Sequence, residues 1–66
     1  MASMLEYIKI ILQKVSFDRR LFEKELKKAI KMLMPEETNR LRVWCYDNFS
    51  KVHRPVLDQC FALSAP

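Results

Sequence analysis

Hydrophobic positions along the chain predict a series of helices separated by short breaks. Over residues 4–15, apolar side chains recur at the i, i+3, i+4 and i+7 spacing of one helical face. The same spacing returns at about 19–33 and 35–52, and a short fourth stretch covers 56–63. We therefore expect an all-α protein with a single domain over residues 1–66 and a frayed tail at 64–66.

The first break carries residues that commonly begin a helix. Asp18 is expected to be the N-cap of helix two, because its carboxylate can accept hydrogen bonds from free backbone N–H groups. Phe17 and Phe22 stand at the spacing of a hydrophobic staple around that cap. Because the break is short, helices one and two are predicted to form an antiparallel hairpin.

Two further breaks are marked by proline. Met34 and Pro35 separate helices two and three, since proline disfavours helical geometry in the preceding residue and suits a first helical position. His53, Arg54 and Pro55 mark the last boundary. The hairpin is therefore expected to extend into a small bundle of three or four helices.

Helices one and three are apolar around more of their circumference than one neighbouring helix covers. Tyr7 and Ile10 flank the main stripe of helix one, and Val43 and Tyr46 fall outside that of helix three. A second copy is expected to cover the excess, as a C2 dimer or alternatively a tetramer. The expected interface residues are Leu5, Tyr7, Ile10, Ile11, Trp44 and Tyr46.

Composition narrows the function classes. A chain of 66 residues buries only about 60% of its unfolded surface, so a partner subunit would add stability. Glycine is absent, which excludes glycine-dependent phosphate loops. No apolar run reaches the ~18 residues that span a bilayer, and no signal-peptide pattern opens the chain. We expect a cytoplasmic protein in which the thiols of Cys45 and Cys60 are reduced. The opening residues, Met1-Ala2-Ser3, resemble a cloning remnant.

Charge is distributed unevenly. The entire net charge of +4 falls within residues 19–34, and the segments on either side balance. Five cations of helix two share an arc of about 100° opposite its buried stripe. Such a face could bind nucleic acid or another polyanion, but a solvated outer face is the more common role of lysine-rich surfaces on small helical domains. The candidate polyanion-binding residues are Arg20, Lys24, Lys27, Lys28 and Lys31.

Helices two and three also have the lengths of a helix-turn-helix DNA reader. Two features argue against this interpretation. The turn lacks its usual glycine, and Glu36 and Glu37 stand at the end of helix three that would approach phosphates. The residues that would contact bases are Thr38, Asn39, Arg40 and Arg42.

Metal binding and catalysis find little support in the sequence. Cys45, His53 and Cys60 are three soft ligands, but structural zinc sites use four, usually with closely spaced cysteines. No serine or cysteine has a base at a recognisable motif spacing. We expect no metal, no cofactor and no enzyme activity. The expected function is a self-associating protein-interaction or structural module, with nucleic-acid binding as the alternative.

Overall fold

The computed structural model describes residues 3–64, with side chains described as far as residue 62. Within this range the chain forms three helices and no strand: α1 (Met4–Val15), α2 (Arg19–Met32) and α3 (Pro35–Ser64). The predicted all-α class is confirmed. The ranges expected for helices one and two agree with α1 and α2 to within one residue. Residues 65 and 66 of the expected frayed tail lie outside the described residues.

A serine caps the beginning of α1. The Ser3 side-chain oxygen accepts a hydrogen bond from the Glu6 N–H at 3.2 Å, and the Ser3 carbonyl accepts one from the Tyr7 N–H at 3.0 Å. Serine is a favoured N-cap because it satisfies N–H groups that have no partner inside the helix. Ser3 therefore contributes to the fold, although the sequence suggested that it belongs to a cloning remnant. Residues 1 and 2 lie outside the described residues.

The connection between α1 and α2 depends on Asp18. One carboxylate oxygen of Asp18 accepts hydrogen bonds from the N–H groups of Arg20 at 2.9 Å and Leu21 at 3.1 Å. The Asp18 backbone is extended, as an N-cap requires. The predicted N-cap is confirmed.

The predicted hydrophobic staple is wrong. Phe17 is 82% exposed, whereas Phe22 is fully buried. The Phe22 ring stacks on His53, with centroids 4.3 Å apart, and meets the edge of Phe49 at 5.0 Å. Side chains of α3 thus occupy the surroundings of Phe22, and Phe17 stays in solvent.

α3 begins two residues after an extended residue. Leu33 has φ −89° and ψ 149°, and Pro35 takes the first helical position, where its missing N–H costs no hydrogen bond. The Glu37 carboxylate accepts a hydrogen bond from the Met34 N–H at 3.4 Å, and the Thr38 hydroxyl donates one to the Met34 carbonyl at 3.1 Å. Glu37 supplies the returning half of a capping box.

α3 is bent at His53. This residue has φ −116° and ψ 19°, outside the helical range, so α3 consists of two segments, residues 35–52 and 54–64. Pro55 falls in the first turn of the second segment, where proline is tolerated. The predicted boundary at residues 53–55 is therefore a kink, and the helix expected at 56–63 begins two residues earlier. The Tyr46 hydroxyl donates a hydrogen bond to the Asp58 carboxylate and links the two segments.

The core draws on all three helices. α2 contacts both α1 and α3, and α1 also contacts α3. None of the residues 3–64 has a positive φ angle. The buried hydrophobic residues are Leu5, Ile8, Leu12, Phe22, Leu26, Ala29, Leu33, Leu41, Cys45, Val56, Leu57, Cys60 and Phe61.

Candidate functional site

Three of the predicted interface residues are used in the chain's own packing. Leu5 is buried in the core, so we withdraw it from the interface. Trp44 is half-buried against the core; its ring meets the edge of Phe49 at a centroid distance of 5.3 Å, and the Lys9 ammonium lies 5.6 Å from its centroid. Tyr46 is also half-buried. Part of the apolar arc predicted for helix three is thus covered within the chain, whereas Val43 stays 56% exposed.

The other predicted interface residues remain accessible on α1. Tyr7 is 59% exposed and Ile10 is 49% exposed, while Ile11 is half-buried. Exposed Met4 and Met32 line one groove with Tyr7 and Ile11, and Ile10 follows Tyr7 by three residues on the same side of α1. We call this set the hydrophobic patch: Met4, Tyr7, Ile10 and Ile11 of α1 with Met32 of α2. Clustered apolar surface of this kind commonly marks a binding site.

A groove of about 290 Å³ between α1 and α2 adjoins the hydrophobic patch. Its deeper part is formed by the buried residues Ile8, Leu12 and Ala29. Glu25 and Lys28 of α2 also line it and form an ion pair of 3.7 Å. Its remaining lining residues are Met4, Tyr7, Ile11 and Met32 of the patch. The sequence did not predict the groove or the role of Met32, although Met32 follows Ala29 by three residues and so shares its side of α2.

The predicted polyanion-binding residues divide into two groups. The Lys27 ammonium pairs with Glu23 at 3.0 Å, and this hydrogen bond raises the pKa of Lys27. Lys28 pairs with Glu25 at the groove. The other three are exposed and, within residues 3–64, form no ion pair: Arg20, Lys24 and Lys31.

The residues considered for base contacts are mostly engaged within α3. The Arg42 guanidinium donates two hydrogen bonds to the Asn39 side-chain oxygen, at 3.0 and 3.3 Å. The Thr38 hydroxyl bonds the Met34 carbonyl. Arg40 is exposed. This arrangement offers few free donors to a base edge.

The cysteines and the histidine are enclosed. Cys45 and Cys60 are free thiols in the core, and burial raises the pKa of Cys45 to about 12 and also raises that of Cys60. His53 is 4% exposed; its Nε2–H donates to the Ser16 carbonyl at 2.6 Å, and Nδ1 finds no hydrogen-bond partner among the described residues. Within residues 3–64, no three His, Cys, Asp or Glu side chains converge in a way that suits a metal ion.

The geometry places the protein in a broad class: over the described residues it is a three-helix, all-α chain with an exposed hydrophobic patch and an adjoining groove. Over the described residues, none of the helices is both long enough and apolar enough to cross a bilayer. No protein-family model, curated protein or solved structure matches the chain.

Proposed function

We propose that this protein is a self-associating helical module with a protein-interaction or structural role. The observation that carries the proposal is the hydrophobic patch, in which Tyr7 and Ile10 each leave about half of their surface in water beside an open groove. Covering these side chains with a second copy would remove apolar surface from water, which favours association.

The proposed assembly is a bundle completed by a second copy. The three-residue connection at 16–18 supports an antiparallel α1–α2 hairpin, and pairing two hairpins gives a four-helix arrangement. A C2 dimer is the simplest form, and a tetramer is the alternative. We place the protein in the cytoplasm, where its two thiols would stay reduced.

Binding is favoured over catalysis by the position of the reactive side chains. His53 is buried and donates to a backbone carbonyl, and both cysteines lie in the core with raised pKa values. A cysteine nucleophile acts as its thiolate, which burial disfavours. These groups serve packing, and the accessible surface serves contact with a partner.

Light scattering at several concentrations tests self-association. We expect the wild-type protein to give a multiple of 7.9 kDa, and Tyr7→Asp to shift it towards the monomer because a charge would enter the covered patch. Val43→Asp is the matched control, since Val43 is 56% exposed on α3, away from the patch. A wild-type protein that stays a folded monomer throughout the micromolar range would refute the proposal.

A second candidate function is polyanion binding by the outer face of α2. It is supported by Arg20, Lys24 and Lys31, which are exposed and free of ion pairs within the described residues. Cations of this kind can displace the counterions that surround a nucleic acid. Because those counterions are released on binding, the affinity falls steeply as the salt concentration rises.

A shift assay with duplex DNA and single-stranded RNA tests this candidate. Lys24→Glu combined with Lys31→Glu should abolish a salt-sensitive complex. The control is Arg40→Glu combined with Lys51→Glu, because it lowers the net charge by the same amount but does so on α3. This control should leave the complex largely intact. Absence of any complex at ~50 mM salt would exclude this candidate.

A further inference from the structure

The outer face of α1 has a charge pattern that is complementary to itself. Glu6 and Lys14 are exposed and stand four residues before and four residues after Ile10, which is also exposed. Positions four residues apart share one side of a helix. An acidic group, an apolar group and a basic group thus follow one another along this face. If this face met an antiparallel copy of itself centred on Ile10, each Glu6 would lie opposite the other copy's Lys14.

The neighbouring part of α2 repeats the pattern. Glu25 and Lys28 border the groove with opposite charges, so the surface formed by the patch and the groove carries no excess of either sign. Lys24 and Lys31, which have no ion-pair partner among the described residues, flank Lys28 on α2 and lie at the edge of this surface. Within the groove lining itself, the positive charge of Lys28 is balanced by Glu25.

We infer that the hydrophobic patch is an isologous interface: its occupant is the same patch of a second copy, related by a two-fold axis that passes close to Ile10. The inference rests on the proposed self-association and specifies its geometry. Each α1 runs antiparallel to the partner's α1, and the two grooves face each other and close into one apolar layer. In α2, the same axis places Lys28 of each copy near the partner's Glu25.

The dimensions suit this occupant better than a small molecule. A groove of about 290 Å³ lies at the lower edge of the ~300–1,000 Å³ typical of ligand pockets, and it is open to solvent along its length. A stable protein interface uses ~800 Å² on each partner, which is roughly a sixth of the 4945 Å² surface of this chain. We expect an interface of that size to include the patch, the groove and their charged rim.

Cross-linking tests the position of the axis. In Ile10→Cys, the two introduced thiols should approach each other and form an intermolecular disulfide with copper phenanthroline as oxidant. Val43→Cys, with similar exposure on α3, should remain largely uncrosslinked. The native thiols need not be removed, because both are buried. A wild-type dimer whose Ile10→Cys variant fails to cross-link faster than Val43→Cys would overturn the inference.

Mixing two charge variants tests the pairing. Glu6→Lys and Lys14→Glu each place like charges opposite one another in the homodimer, and we expect each to weaken self-association about 2- to 30-fold, the loss of two exposed ion pairs. An equimolar mixture should recover wild-type affinity, because the heterodimer restores both opposite-charge contacts. Glu6 pairs with Lys9 of its own copy at 3.5 Å, and Glu6→Lys also loses that contact. Glu6 and Lys14 are too far apart along α1 to pair within one copy, so the recovery on mixing, and not the effect of either variant alone, reports contacts between copies.

Glu23→Lys and Lys27→Glu are the matched controls, because they change the net charge by the same amounts on another side of α2. Their mixture should associate no more tightly than either variant alone. If Glu6→Lys and Lys14→Glu show no recovery on mixing while the wild-type protein is oligomeric, the symmetric geometry is wrong and self-association stands. A monomeric wild-type protein would instead remove the proposed function itself.

Discussion

The imidazole Nε2–H of His53 donates a hydrogen bond of 2.6 Å to the backbone carbonyl of Ser16, 37 residues earlier in the chain. Ser16 is the C-cap of α1, where carbonyl groups have no partner inside the helix. The same ring stacks on Phe22 of α2 and belongs to the kink of α3. A single side chain therefore joins all three helices.

Substitutions of His53 should separate its hydrogen bond from its packing. His53→Phe keeps a ring against Phe22 but loses the donor to Ser16, and should lower the free energy of unfolding by about 1–3 kcal/mol. His53→Ala also loses the ring and should cost about 3–5 kcal/mol. Urea unfolding followed by circular dichroism measures both. Val52, the exposed residue before His53, provides the control: Val52→Ala should change the free energy of unfolding by less than about 0.5 kcal/mol. Equal stability of His53→Phe and the wild type would contradict the role of the hydrogen bond.

Removing the Asp18 cap should destabilise the start of α2. Asp18→Ala leaves two backbone N–H groups without their acceptor, and we expect a loss of about 0.5–2 kcal/mol, with Asp18→Asn close to wild type. Asp47→Ala removes an exposed carboxylate in mid-helix and serves as the control. The urea midpoints compare the three variants, and an Asp18→Ala midpoint equal to that of Asp47→Ala would show that the cap contributes nothing.

Local signals predicted the helices well because each acts within a few residues of sequence. Asp18 and Pro35 set boundaries through hydrogen bonds and backbone angles of their own neighbours, and the structure shows both doing so. The ion pair between Glu23 and Lys27, at 3.0 Å, is a local contact of the same kind, because the two residues stand four positions apart on α2. In contrast, the contact of His53 with Ser16 joins distant positions, and no periodicity within a helix indicates it.

The failure of the staple prediction has the same cause. The spacing of Phe17 and Phe22 is local, but the space around Phe22 is taken by rings of α3 that lie far away in sequence. Likewise, the wide apolar arc of helix three suggested exposure of Trp44 and Tyr46. The kink lets the second segment of α3 contact Tyr46, and Trp44 is contacted by Lys9 of α1 and by Phe49. The exposed part of the arc on α1 could be predicted, because no later segment covers Tyr7 or Ile10.

The two phenylalanines should respond very differently to truncation. Phe22→Ala removes a fully buried ring and should lower stability by about 3–5 kcal/mol, enough to unfold much of so small a protein. Phe17→Ala removes a ring that is mostly in water, and its effect should stay below about 0.5 kcal/mol. Thermal unfolding of both variants measures the contrast. A large loss of stability in Phe17→Ala would instead support a contact between Phe17 and Phe22, as in a hydrophobic staple.

Alkaline pH should destabilise the fold through Cys45. Its pKa is about 12 in the folded chain, against an ordinary value of 9.0, because burial disfavours the thiolate. The stabilising effect is complete below pH 9 and is lost as pH rises towards 12, at up to about 1.4 kcal/mol per pH unit, because the unfolded chain releases its proton first. The raised pKa of Tyr46, whose hydroxyl donates to Asp58, acts in the same direction.

Urea unfolding at intervals between pH 8 and 11 measures this dependence. Cys45→Ala should be less stable at neutral pH, since it leaves a cavity, but its stability should fall less steeply above pH 9. Cys60 contributes a smaller decline in both proteins because its pKa is also raised by burial. If the free energy of unfolding falls equally steeply with pH in Cys45→Ala and in the wild type, the Cys45 thiol does not cause the loss of stability at alkaline pH.

The chain makes both of its turns and its kink without any residue of positive φ between residues 3 and 64. A side chain of either small or large size is thus compatible with the backbone at each of these positions, and methyl-sized replacements introduce no torsional penalty. An alanine or cysteine scan would therefore meet no position that requires glycine. Away from the prolines and the capping residues Ser3 and Asp18, spectroscopic probes can be placed at surface positions without redesigning the turns.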